Sequence, residues 1–167
     1  KGWRGTETLT WSQLVARLMD HDVRDEKDGP LWAPVVVSDT SRRTNDSVAA
    51  VTCLVLDYDC GVDLDEALVP IVEQGLACVA HSSHRHTPDH PKFRIVVPLD
   101  RPILSAHWPE AWDMLHAMLG PRSDEACKNA ARIYYLPSCP ESAAFDAVTY
   151  QLDGNPIDVD GWLMGNI

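Results

Sequence analysis

A chain of 167 residues, 45% of them hydrophobic, can bury a real core without disulfide staples, and it has no apolar run of roughly 18 residues to cross a membrane. Its formal net charge is −11, from 25 acids against 14 bases, which argues against a surface built for a long nucleic-acid duplex, since phosphate contacts need lysine and arginine. Five cysteines, odd in number and without a CxxC pair, suit a reduced cytoplasmic setting. The chain lacks an initiating Met and a signal-peptide pattern, and its ends, "KGWRG" and "MGNI", read as cuts from a longer protein holding residues 1–167 as one domain.

The first predicted element is a helix over Thr10–Met19, with capping-box spacing between Thr10 and Gln13 and an apolar face of Leu14, Val15 and Leu18. A polar loop, "DHDVRDEKDGPLWAP", leads to a short strand in "PVVVSD". "VTCLVLDYD" is a strand, and "DLDEALVPIVEQG" a helix that Pro70 should kink or shorten and Gly75 should stop. "LACVAHSSH" and "KFRIVVPL" are strands around a turn at "TPDHP". "SAHWPEAWDMLHAMLG" is an amphipathic helix capped by Ser105 and stopped by Gly120. A helical turn at "SDEACKNAA" and strands at "RIYYLP" and "DAVTYQL" follow. The order predicts an α+β fold with one mixed sheet.

Three stretches carry chemistry. In "LVLDYDC" an apolar strand ends at two carboxylates, Asp57 and Asp59, which leave the same face because strand side chains alternate. Two such carboxylates repel, and a shared cation favours their ionised forms; hard oxygens suit Mg2+ or Mn2+. By the same logic Asp57→Asn should leave the fold intact. The alternative is a solvated strand end running into the turn at Cys60 and Gly61.

The second stretch, "HSSHRHTPDHPKFR", holds four of the seven histidines with Arg85, Lys92 and Arg94, against one acid, Asp89. As an extended strand it puts Ser82, His84 and His86 on one face, suited to phosphate oxygens, and Arg85 on the other. His90, in the turn, should face outward. A His84–His86 zinc pair lacks clear partners, so no zinc is expected. The third stretch, "SDEACKNAARIYYLP", places Asp124 at a loop end and Arg132 at the start of a strand. Taken alone, Asp124 would be a carboxylate favoured by a helix start.

Together, "LVLDYD", "HSSHRHTPDHPKFRIVVPLDRP" and "SDEACKNAARIYYLPS" resemble the motif series of the archaeo-eukaryotic primase superfamily, most closely the primase-polymerase domains of plasmid, phage and mobile-element replication proteins. The resemblance covers about residues 51 to 138. It implies an RNA-recognition-motif-like catalytic core with an added N-terminal αβ unit. It implies metal ligands at Asp57, Asp59 and Asp124, a two-ion Mg2+ or Mn2+ site, and nucleotide contacts from Ser82, His84, His86, Arg94 and Arg132. Arg85 and Lys92 are then left for template DNA. The expected activity is primer synthesis or extension from nucleoside triphosphates on single-stranded DNA, with a helicase domain as a candidate neighbour in the full chain. A non-catalytic nucleotide- or DNA-binding module and a metal-dependent phosphohydrolase or nuclease are the competing readings.

Overall fold

The β-branched and apolar run from Val48 to Tyr58 becomes the long central strand around which the rest is arranged. The computed structural model describes Trp3 and residues 6–163. In chain order the elements are α1 (Trp11–Leu18), β1 (Asp22–Val23), β2 (Leu31–Trp32), β3 (Val35–Val37), β4 (Val48–Tyr58), α2 (Leu64–Glu73), β5 (Cys78–Ser82), β6 (Phe93–Leu104), α3 (Trp108–Leu119), β7 (Tyr134–Tyr135), β8 (Ser138–Cys139), β9 (Thr149–Leu152) and α4 (Val159–Leu163). Short 3-10 turns stand at Asn45–Ser47, Glu125–Lys128 and Glu141–Asp146.

The α+β class holds. Five strands form a sheet in the order β3-β4-β6-β5-β9. The expected mixed sheet is realised as antiparallel ladders across these five strands. The β4–α2–β5 crossover keeps its two strands parallel but leaves a gap that β6 fills, the split arrangement of an RNA-recognition-motif-like core. Parallel pairing occurs in a separate ribbon, β1 with β8, while β2 pairs antiparallel with β7. The N-terminal αβ unit supplies α1, β1, β2 and β3; β1 and β2 pair with β8 and β7 from late in the chain, and β3 takes the sheet edge beside β4.

Thr10 and Gln13 form the reciprocal capping box, and α1 buries Leu14, Val15 and Leu18. Pro70 does not shorten α2, which runs on to Glu73; the carbonyl its ring leaves without a donor belongs to exposed Glu66. Ser105 is not the cap of α3. It sits in a turn that closes from His107 N to Leu104 O, and His107 is the last residue before the helix, with Pro109 in its first turn. At the other end of α3, Gly120 lies against β4: a Cβ there would stand 2.7 Å from Tyr58 Oη and 2.9 Å from Leu56 Cδ2. That close approach delivers residues 121–124 to the end of β4.

Candidate active site at the end of the central strands

Sheet register builds the centre of the site. Asp57 lies opposite Arg94, Arg94 opposite His81, and His81 opposite Thr149, so one row crosses β4, β6, β5 and β9. Arg94 Nε is 3.3 Å from Asp57 Oδ2, a charge contact without hydrogen-bond alignment. Its Nη1 donates to Tyr135 O at 3.3 Å, and its guanidinium stands 5.1 Å over the Tyr134 ring. Arg132 shares that ring at 5.6 Å and puts Nη2 3.4 Å from Oδ2 of both Asp57 and Asp124. Burial pushes the Tyr134 phenol well up, so the floor under the two guanidiniums stays neutral.

Asp57 and Asp124, far apart in sequence, therefore meet. The Asp124 N–H donates to Asp57 O at 2.7 Å, and Asp124 Oδ1 accepts from Ala126 N at 2.9 Å, capping the 3-10 turn. Asp124 thus caps the 3-10 turn and stands beside Asp57 at once. Arg132 does not begin a strand: it lies in the irregular stretch before β7, where its side chain can turn back to the carboxylates.

Asp59 is placed differently. It lies one residue past β4, its side chain is 61% exposed, and it accepts from His90 Nε2 at 3.0 Å and from Lys92 Nζ at 3.2 Å. Desolvation raises the Asp59 pKa, but the Lys92 and His90 hydrogen bonds outweigh it and hold the carboxyl below its ordinary value. His90 is therefore not turned away. The Thr87–His90 turn folds back over the strand end, and Lys92 faces a carboxylate of this chain. Among the described residues no three His, Cys, Asp or Glu side chains stand close enough to hold one metal ion.

The middle stretch corrects a second expectation. Strand β5 ends at Ser82, and Ser83 to His86 form a turn closed by His86 N to Ser83 O at 3.0 Å. Alternation of faces holds only while the chain is paired, so Ser82, His84 and His86 do not share a strand face. Ser82 is buried; its Oγ accepts from Val148 N and lies 3.1 Å from His21 Nε2. His84 donates from Nε2 to Asp25 O at 3.0 Å and accepts at Nδ1 from the Ser138 hydroxyl at 2.9 Å. His86 Nδ1 accepts from Lys92 N at 3.1 Å, and burial lowers its pKa. Arg85 is exposed at the tip of the turn.

Two residues of the site escape sequence reasoning. His81 is fully buried; its Nδ1–H donates to Ser82 O, its Nε2 has no partner, and burial followed by the Arg94 charge lowers its pKa to about 3. Its signal is the sheet register, which places it beside Arg94. Lys27, exposed in the N-terminal loop, has its pKa lowered by partial desolvation and then by the charges of Arg94 and Arg85. Nothing in its local sequence announces that.

No curated protein matches the chain. Among solved structures, the AEP domain of the cyanophage S-2L primase-polymerase (PrimPol) is similar, with a TM-score of 0.54 and 16% identity over 78% of this chain and 68% of that one. At that identity the likeness is one of fold. The VapE N-terminal domain family matches residues 37–164. A match over that much of the sequence makes the chain a member of the VapE N-terminal domain family, with the fold of a primase-polymerase domain.

Proposed function

We propose that the chain is a metal-dependent nucleotidyltransferase that synthesises or extends primers on a single-stranded DNA template. One observation carries the reading: Asp57 and Asp124 are drawn to a common cation, the Arg132 guanidinium, at the end of a primase-polymerase sheet. A purely structural sheet end has no use for two convergent acids beneath two arginines, because burying charge is costly unless it is compensated.

The donor set fits a divalent ion. Asp57 and Asp124 offer hard carboxylate oxygens of the kind Mg2+ and Mn2+ prefer. Both arginine contacts on Asp57 fall on Oδ2. Asp59 would join once it leaves His90 and Lys92. When bound, such ions lower the pKa of an attacking hydroxyl and neutralise charge on the leaving group. The chain's own cations do the rest. Arg94 and Arg132 line up positive charge for a triphosphate tail, and Arg94, held on the sheet and on Tyr134, costs no reorganisation as charge develops on pyrophosphate. His84 would offer its imidazole to a phosphate only by giving up Asp25 O or the Ser138 hydroxyl, and Arg85 offers an exposed contact to template phosphate.

A non-catalytic nucleotide- or DNA-binding module is the second reading, favoured by the commitment of Asp59 to His90 and Lys92. One experiment divides the possibilities. Template, labelled nucleoside triphosphates and Mn2+ are supplied, and the label is followed. Entry into polymer, lost in Asp57→Asn and Asp124→Asn, supports the proposal. Label that stays bound as intact triphosphate supports the binding module, and label released as hydrolysed nucleotide supports a phosphohydrolase.

A further inference from the structure

Beside Arg132, a cavity of about 500 Å3 opens between the loop before β4 and the loop before β7. Its polar walls are Arg43, Thr44, Asn45, Asn129 and Arg132, and no carboxylate lines it, on a chain whose net charge is −11. The volume lies in the range of small-ligand sites, roughly 300–1,000 Å3.

Hydrogen bonding fixes the polarity of the walls. Asn45 Oδ1 and Asn129 Oδ1 both accept from Ala131 N, at 3.2 and 3.0 Å. An N–H can only donate, so both carboxamide oxygens are turned toward Ala131 N, and each NH2 group is left as a donor. Arg43 donates from Nη1 to Ala131 O at 3.3 Å, which pins its guanidinium at the wall with other N–H groups to spare. Arg132 is donor-only as well. Apart from the Thr44 hydroxyl, every polar side chain of the cavity presents donors, and two carry positive charge. Such a lining selects a ligand rich in anionic acceptors.

We propose that this groove takes the phosphodiester backbone of a DNA strand whose end lies at Asp57 and Asp124. The identity of the ligand as DNA rests on the polymerase reading above; the preference for phosphate rests on the donor lining alone. Arg132 belongs to both the groove and the carboxylate pair, so a strand seated here is led directly to the acids.

The test uses a fluorescein-labelled single-stranded thymidine oligonucleotide, its affinity read by anisotropy across a salt series, and nucleoside triphosphate affinity read by calorimetry. Asn45→Asp keeps the oxygen that accepts from Ala131 and replaces the donor by a negative charge. Arg43→Gln removes a charge. Arg17→Gln, on α1 and paired with Glu7, is a control for net charge alone. Asn45→Asp and Arg43→Gln should each weaken oligonucleotide binding about tenfold. Arg43→Gln should also flatten the salt slope by about 0.7, the value for one phosphate contact on a single strand. Triphosphate affinity and melting temperature should hold in both variants, and Arg17→Gln should change nothing. Oligonucleotide affinity within twofold of wild type in both groove variants would overturn the proposal. So would an equal loss in Arg17→Gln, or a loss confined to the triphosphate. Primer synthesis by the wild type is followed in parallel. Synthesis without the groove pattern sinks this inference alone, whereas the groove pattern without synthesis sinks the polymerase reading and leaves a phosphodiester site.

Discussion

Replacing Asp57 by Asn should lower stability sharply, against the expectation from carboxylate repulsion that the fold would be indifferent. The Arg94 side chain is only 10% exposed and that of Asp57 15%, so the substitution leaves a mostly buried guanidinium without its counter-charge. Removing one partner of a buried pair costs about 3–5 kcal/mol. The contacts here are 3.3 and 3.4 Å, and Arg94 keeps the Tyr134 ring and Tyr135 O, so the lower end, about 3 kcal/mol, applies. For a domain of this size that is a fall in Tm of roughly 6–12 °C. Asp59→Asn is the internal comparison. Its side chain is 61% exposed, and a surface pair of this kind contributes at most about 1 kcal/mol. Both variants should lose polymer synthesis, but circular dichroism melts at pH 7 should separate them clearly. Adding Arg94→Met to Asp57→Asn should recover much of the loss, because no orphaned charge remains. An Asp57→Asn protein as stable as wild type, or two single variants with equal losses, would refute the account of the buried pair.

His81 makes stability depend on pH. Its folded pKa of about 3 lies below the ordinary 6.5, so its contribution is fully present above 6.5 and is lost as pH falls toward 3. Urea titrations should show this group removing about 2 kcal/mol between pH 7 and pH 5, and His81→Phe should flatten that difference. His84→Ala should weaken nucleoside triphosphate binding roughly tenfold to a hundredfold in calorimetry while sparing oligonucleotide affinity; a larger effect from His86→Ala would shift the phosphate contact two residues along the turn. Mn2+ or Mg2+ should raise the Tm of the wild type by mass action and leave Asp124→Asn unmoved, with equal shifts in both proteins ruling out Asp124 as a ligand.

The sequence was most informative where structure is local. The capping box of α1 and the apolar run of β4 depend on near neighbours, and both stand as read. Chain order gave the α+β class, while the crossover core came from the motif resemblance. What escaped is governed by partners remote in sequence. Strands β1, β2, β7 and β8 are two residues each, too short for any period, and exist only through pairing across more than a hundred residues. The Ser82–His86 stretch fits an alternating strand until one knows that the Phe93 pairing ends at Ser82. The acids were nameable from motif resemblance, but Arg132 as the bridge between Asp57 and Asp124, and His90 and Lys92 as the partners of Asp59, depend on how loops fold back.

The strand β3 has a bearing on how this protein can be trimmed. The family match begins at residue 37, the last residue of β3, so a fragment cut to that boundary would lose α1, β1, β2 and nearly all of the edge strand. Over its first residues, Val48 to Thr52, β4 would then present bare backbone donors and acceptors on a run containing Val48, Ala50 and Val51, a template for pairing with another molecule. The cut would also remove His21 and Asp25, which hold Ser82 and His84. The N-terminal unit thus covers the start of the sheet edge, and in sedimentation a fragment lacking it should assemble edge to edge more readily than the full chain.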